Sequence, residues 1–80
     1  MDKPIALEIV YCDDWHYTSR AAWMALELLT HYRKDISGLK LVPSGGGAFE
    51  VSVNGQLIFS KLKEGRFPEP KELEQAIEEA

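Results

Sequence analysis

The sequence predicts an α/β fold, a four-stranded mixed sheet with both helices on one face, from three observations. Strand-like periodicity over residues 5–11 gives way to helical periodicity from Tyr17. A second short apolar run follows that helix, and the dipeptide Asn54-Gly55 divides two further β-rich segments. The implied order is β-α-β-β-β-α, in a single domain over residues 1–80.

In the first segment Ile5, Leu7, Ile9 and Tyr11 alternate with smaller or polar neighbours, and both faces are mostly apolar, as in an interior strand. Asp13 or Asp14 then supplies a helix N-cap. Over residues 17–33, Arg20, Glu27, His31 and Lys34 share one narrow helix face. Ala21, Ala25, Leu28 and Tyr32, joined by Met24 and Leu29, take the opposite side. Gly38 is the expected break after the helix. Residues 39–42 read as a short strand closed by Pro43, and strand–helix–strand in this span implies a right-handed parallel βαβ unit. A loop of Ser44 and Gly45-Gly46-Gly47 leads into the hairpin. A two-residue turn there pairs Val53 with Gln56, Val51 with Ile58 and Phe49 with Ser60. After a loop over residues 63–68, a helix starts near Pro70 with the stripe Leu73, Ala76, Ile77, Ala80. This is the minimal thioredoxin-like arrangement, with the far sheet face less covered than in a three-layer protein.

The composition narrows function. In 80 residues, nine Lys+Arg against thirteen Asp+Glu give a net charge of −4, which disfavours a nucleic-acid or polybasic membrane partner. The longest wholly apolar run, residues 21–26, is too short to span a bilayer. Met1-Asp2-Lys3-Pro4 begins nothing like a leader, so a cytoplasmic location is expected. Cys12 is the only cysteine, which excludes an intramolecular disulfide.

Cys12 stands at the carboxyl end of the first strand, where α/β folds place reactive groups. The helix start favours its thiolate, whereas Asp13 and Asp14 oppose it, and Arg20 and His16 are placed to offset them. An inert, half-buried cysteine is the competing reading. Cys12, Asp13, Asp14 and His16 offer too few convergent soft ligands for zinc, and no metal is expected. The triple glycine lacks the Lys-Ser/Thr of a phosphate loop and reads as a flexible connection. Trp23, at the edge of the polar arc, and Trp15 are candidate contacts for a protein partner or a homodimer.

Tyr11-Cys12-x-x-x-x-Tyr17-x-x-Arg20-Ala21, Pro43-Ser44-Gly45-Gly46-Gly47-x-Phe49-Glu50-Val51, Ser60-Lys61 and Gly65-Arg66-Phe67-Pro68 together resemble the selenoprotein W-like (Rdx; SelT/SelW/SelH) family over nearly the whole chain. The resemblance implies a thioredoxin-like fold and a thiol role in cell redox homeostasis, linked in animal members to glutathione. That family carries Cys-x-x-Cys or Cys-x-x-selenocysteine, whereas this chain reads Cys12-Asp13-Asp14-Trp15. Trp15 occupies the second thiol's place, so only monothiol chemistry is left: a sulfenic acid, a mixed disulfide with glutathione or another thiol, or a bridge between chains. The expectation is a monothiol redox protein at most, with glutathione as co-substrate and no resident cofactor. The alternative is a non-catalytic interaction domain that keeps the scaffold. Cys12 is the candidate redox thiol, and Trp15, Tyr17, Arg20, Ser44, Phe67 and Pro68 are the candidate lining. Arg20 is read as paired with Asp13 or Asp14, or as holding a glutathione carboxylate.

Overall fold

The computed structural model describes residues 4–80, so the Met1-Asp2-Lys3 of the argument against a leader lies outside the described residues. Strand β1 (Ile5–Cys12) is central: it runs parallel to β2 (Ile36–Ser44) and antiparallel to β3 (Phe49–Val53). Strand β4 (Gln56–Ser60) pairs antiparallel with β3, giving the sheet order β2-β1-β3-β4.

One sheet face carries the core. Ile5, Leu7 and Ile9 are buried there beside Val53, Val51 and Phe49. Helix α1 (Trp15–Tyr32) covers them with Ala21, Met24, Ala25, Leu28 and Tyr32, and α3 (Pro70–Glu79) adds Leu73 and Ile77. Both helices therefore share a face, as expected. On the far face Glu8, Val10 and Ser52 are half-buried and Lys40 is exposed, so β1 is interior to the sheet yet covered on one side only. Leu29, expected in the core, is 43% exposed, because it stands about a quarter-turn from the Ala21–Leu28 line.

Several boundaries differ from the sequence expectation. Helix α1 starts two residues early because Asp14 caps it, its carboxylate accepting the His16 N–H at 3.0 Å. It ends where Arg33 takes φ 52° in a short 3₁₀ turn (Arg33–Asp35), not at Gly38. Gly38 and Pro43 both lie inside β2, which is longer than its apolar run. As an edge strand β2 makes ladder bonds on one side only, and that tolerates a proline. The hairpin turn is as read, with Asn54 at φ 51° and Gly55 at φ 84°, but a bulge between Val51 and Ser52 changes the register beyond it. Val51 pairs with Phe59 and Glu50 with Ser60, replacing the expected Val51–Ile58 and Phe49–Ser60 pairs; Phe59 is buried and Ile58 half-buried. The hairpin is also tied to β1, because Asn54 accepts the Ala6 N–H at 2.9 Å and donates its own N–H to the Ala6 carbonyl at 2.8 Å. The expected loop over residues 63–68 begins with a single helical turn, α2 (Lys61–Glu64).

Candidate functional site

Cys12 is the last residue of β1 and is half-buried. Its N–H donates to the Ala48 carbonyl at 2.8 Å, and the next N–H, of Asp13, donates to the Ser44 carbonyl at 2.9 Å. Ser44 is the register partner of Cys12 across the parallel ladder. The strand end, the end of β2 and the glycine loop thus meet at the Cys12 backbone. Gly47 belongs to this junction: it has φ +74°, and a Cβ there would stand 3.5 Å from the Tyr17 hydroxyl.

A second group of side chains lies at the same end of the sheet. The Phe67 ring centroid is 5.0 Å from that of Tyr17 and 5.4 Å from that of Phe49. The Arg20 guanidinium stands 4.2 Å from the Phe67 centroid, and the Lys61 ammonium lies 5.3 Å from the centroids of both Phe67 and Tyr17. The surrounding elements fix these positions. Ser60 caps α2, its hydroxyl accepting the Lys63 N–H at 3.3 Å and donating to Glu50, and so sets where Lys61 begins. Arg66 binds both oxygens of Glu72, at 2.6 and 2.9 Å, which holds the loop before Phe67 against the start of α3. This hydrogen bonding from Arg66, helped by the Glu69 N–H, keeps the Glu72 carboxyl below the usual carboxylate range against the opposing effect of burial.

Of the predicted residues, the structure brings together Tyr17, Arg20, Phe67 and Pro68, and separately Cys12 and Ser44, the two groups meeting through Gly47. Pro68 is buried and packs rather than faces solvent. Trp15 opens α1 and is 71% exposed, its ring 3.6 Å from the His16 imidazole. Arg20 lies in the second turn of α1 and pairs with neither Asp13 nor Asp14. The ion pairs among the described residues are Arg66–Glu72 and His31–Glu74, and the Arg20 guanidinium leans on the Phe67 ring instead. Lys61 and Phe49 were missed as site residues. The signal for Lys61 was the N-capping Ser60 just before it, and Phe49 is fully buried core that also supports Phe67.

The gap enclosed by Arg20, Trp23, Met24, Phe49, Phe67 and Pro68 is about 10 Å³, room for one water at most. Beside it His16, Ser19, Arg20 and Trp23 form an open depression of about 570 Å³. A larger groove, about 1110 Å³, runs between α1 and α3 past Trp23, Glu27, His31 and Glu74, but it lies away from Cys12. No group of three His, Cys, Asp or Glu side chains placed to hold a metal occurs among the described residues. No helix among them is long and apolar enough to cross a membrane.

Known proteins resemble this chain over 69% to 96% of its length. A crystal structure of a selenoprotein W-related protein from Vibrio cholerae superposes with a TM-score of 0.90 at 36% identity, covering 96% of each chain. Migration and invasion enhancer 1 of Bos taurus is 35% identical over 78 residues, 95% of this chain and 64% of that protein. The Mus musculus protein of the same name is 44% identical over 57 residues, 69% of this chain and 50% of that one. The chain thus spans between half and two thirds of the length of these mammalian relatives. The profile of the Rdx family matches residues 6–79, and with the thioredoxin-like sheet and the selenoprotein W-related neighbour it shows that this chain belongs to the Rdx family, a redox-associated family.

Proposed function

We propose that this protein acts through Cys12 as a monothiol redox module that forms a mixed disulfide with glutathione or a similar small thiol. The observation that supports the reading is the position of Cys12, half-buried at the junction of β1 and α1 at the same end of the sheet as the cationic and aromatic cluster, with Trp15 in the place of a second thiol. The Cys12 thiolate attacks one sulfur of oxidised glutathione; the glutathione S–S bond breaks, a Cys12–glutathione disulfide forms, and the second glutathione leaves as a thiolate. A further glutathione thiolate reverses the step and regenerates Cys12. Incubation with oxidised glutathione followed by intact mass measurement tests this. An adduct that forms at least tenfold faster than on urea-unfolded protein, and is absent from Cys12→Ser, is expected; reaction no faster than the unfolded control overturns the reading.

One observation favours a second reading, a protein-contact surface. At 100° per residue Trp15, Ala22, Leu26 and Leu29 share one flank of α1, and Trp15 and Leu26 are 71% and 60% exposed. Trp23 lies about 80° further round the helix, over the groove toward α3. On this reading Trp15→Ala leaves the melting temperature within about 2 °C, since exposed side chains carry little folding stability, and weakens self-association in sedimentation. Unchanged sedimentation would remove the case for a dimer.

A further inference from the structure

The structure points to an anion-recognition site in the pair Arg20 and Lys61, which we propose selects carboxylate-bearing thiols and disulfides as the partners of Cys12. The kinetic part of this inference rests on the monothiol reading; the binding part does not.

The chain carries four more acidic than basic residues, yet neither of these two cations has a carboxylate within 4.0 Å among the described residues. Both lean on one ring, Arg20 at 4.2 Å and Lys61 at 5.3 Å from the Phe67 centroid. Contact with a ring face orients a cation but leaves its charge in place. An anion bound near that ring is attracted by both charges. A guanidinium stacked by its face keeps its N–H edge available for a carboxylate. The open depression formed by His16, Ser19, Arg20 and Trp23 gives that edge room. Ser19 is not part of the recognition, because its hydroxyl already donates to the His16 carbonyl at 3.1 Å.

The backbone of Cys12 connects to this cluster through the glycine loop. Its N–H binds Ala48, the adjacent Gly47 borders the Tyr17 hydroxyl, and the Tyr17 ring faces Lys61. From the Asp14 cap to Arg20 is six residues, about 9 Å of helix. The site calls for a ligand that reaches from Cys12 past the first turn of α1, as a tripeptide thiol attached there does. Asp13 and Asp14 act in the opposite sense on an incoming anion, and Asp14 is engaged in capping α1. The preference for anionic partners therefore depends on Arg20 and Lys61.

Two measurements decide. S-methylglutathione, which cannot exchange disulfides, is titrated into the Cys12→Ser protein and followed by NMR. Saturable shifts at Arg20, Lys61 and the Trp23 indole are expected. Binding should weaken about tenfold in Arg20→Gln/Lys61→Gln and vanish for the doubly esterified ligand. In parallel, rates of adduct formation at Cys12 with oxidised glutathione and with cationic cystamine are compared, each relative to unfolded protein. Their ratio should favour glutathione and fall about tenfold in the double variant. If that variant does not fold, each single variant is expected to weaken binding about threefold. Absence of S-methylglutathione binding, or binding indifferent to both substitutions, overturns the anion site even if Cys12 reacts quickly. Conversely, specific binding with an inert Cys12 supports the site and overturns the monothiol reading alone.

Discussion

Phe67 shows why a residue in a loop can matter as much as one in the core. It is half-buried, yet Tyr17, Phe49, Arg20 and Lys61 all meet its ring. Phe67→Ala removes the shared wall of this cluster and should lower stability by about 2–3 kcal/mol, below the full cost for a completely buried phenylalanine. A urea titration reads that loss; a change under about 0.5 kcal/mol would mean that the ring is not packed as described. Cys12 was legible from its place in the chain, because a residue ending a strand before a capped helix is bound to sit at the sheet's carboxyl end. The partner of Arg20 was not legible. Nearby aspartates suggested an ion pair, whereas the guanidinium stacks on a residue 47 positions later, and only folding sets that distance.

At the scale of elements, the hairpin separates what local sequence specifies from what packing specifies. Asn54-Gly55 sets the turn because both residues adopt positive φ, 51° and 84°. The strand after it offers Leu57, Ile58 and Phe59 in a row, so alternation alone cannot choose which of them faces the core. The bulge resolves this in favour of Phe59, which is 7% exposed against 48% for Leu57. Phe59→Ala should therefore cost about 3–4 kcal/mol and Ile58→Ala about 1–2 kcal/mol. The reverse order in denaturant titrations would restore the unbulged register. Strand β2 extends past its apolar run for a related reason: pairing with β1 carries Gly38, Pro43 and Ser44 along, whatever their own propensities.

In the whole molecule, two helices on one sheet face must be held side by side, and Tyr32 is one tie between them. From the end of α1 its hydroxyl donates to the Glu74 carbonyl at 3.1 Å and lies 3.4 Å from the Glu78 carboxylate on α3. Burial first, then the negative charges of Glu78 and Glu74, push its phenol up to about 12 from the usual 10.0. The folded state thus holds this proton more tightly than the unfolded chain does. The resulting stabilisation is complete below pH 10 and is lost as pH rises from about 10 to 12, on the order of 2 kcal/mol in all. Tyr32→Phe should cost about 1 kcal/mol at neutral pH for the lost hydrogen bond, and should flatten the decline above pH 10 relative to the parent chain. Urea midpoints measured from pH 8 to pH 12 test both; parallel curves for the two proteins would show that Tyr32 does not tie the helices.

By itself, the sequence determined the order of the four strands and the two long helices, the fold class, a helix cap at Asp13 or Asp14, the Asn-Gly turn and the position of Cys12. Each of these follows from periodicity or backbone preference within a few neighbouring residues. Only the tertiary structure decided which of several adjacent apolar residues enter the core, which cations stay without carboxylates, and that Lys61 and Phe67 join Arg20 and Tyr17. Those outcomes depend on contacts between segments tens of residues apart. Chain connectivity and the burial of apolar area settle them together, and no local pattern carries that information.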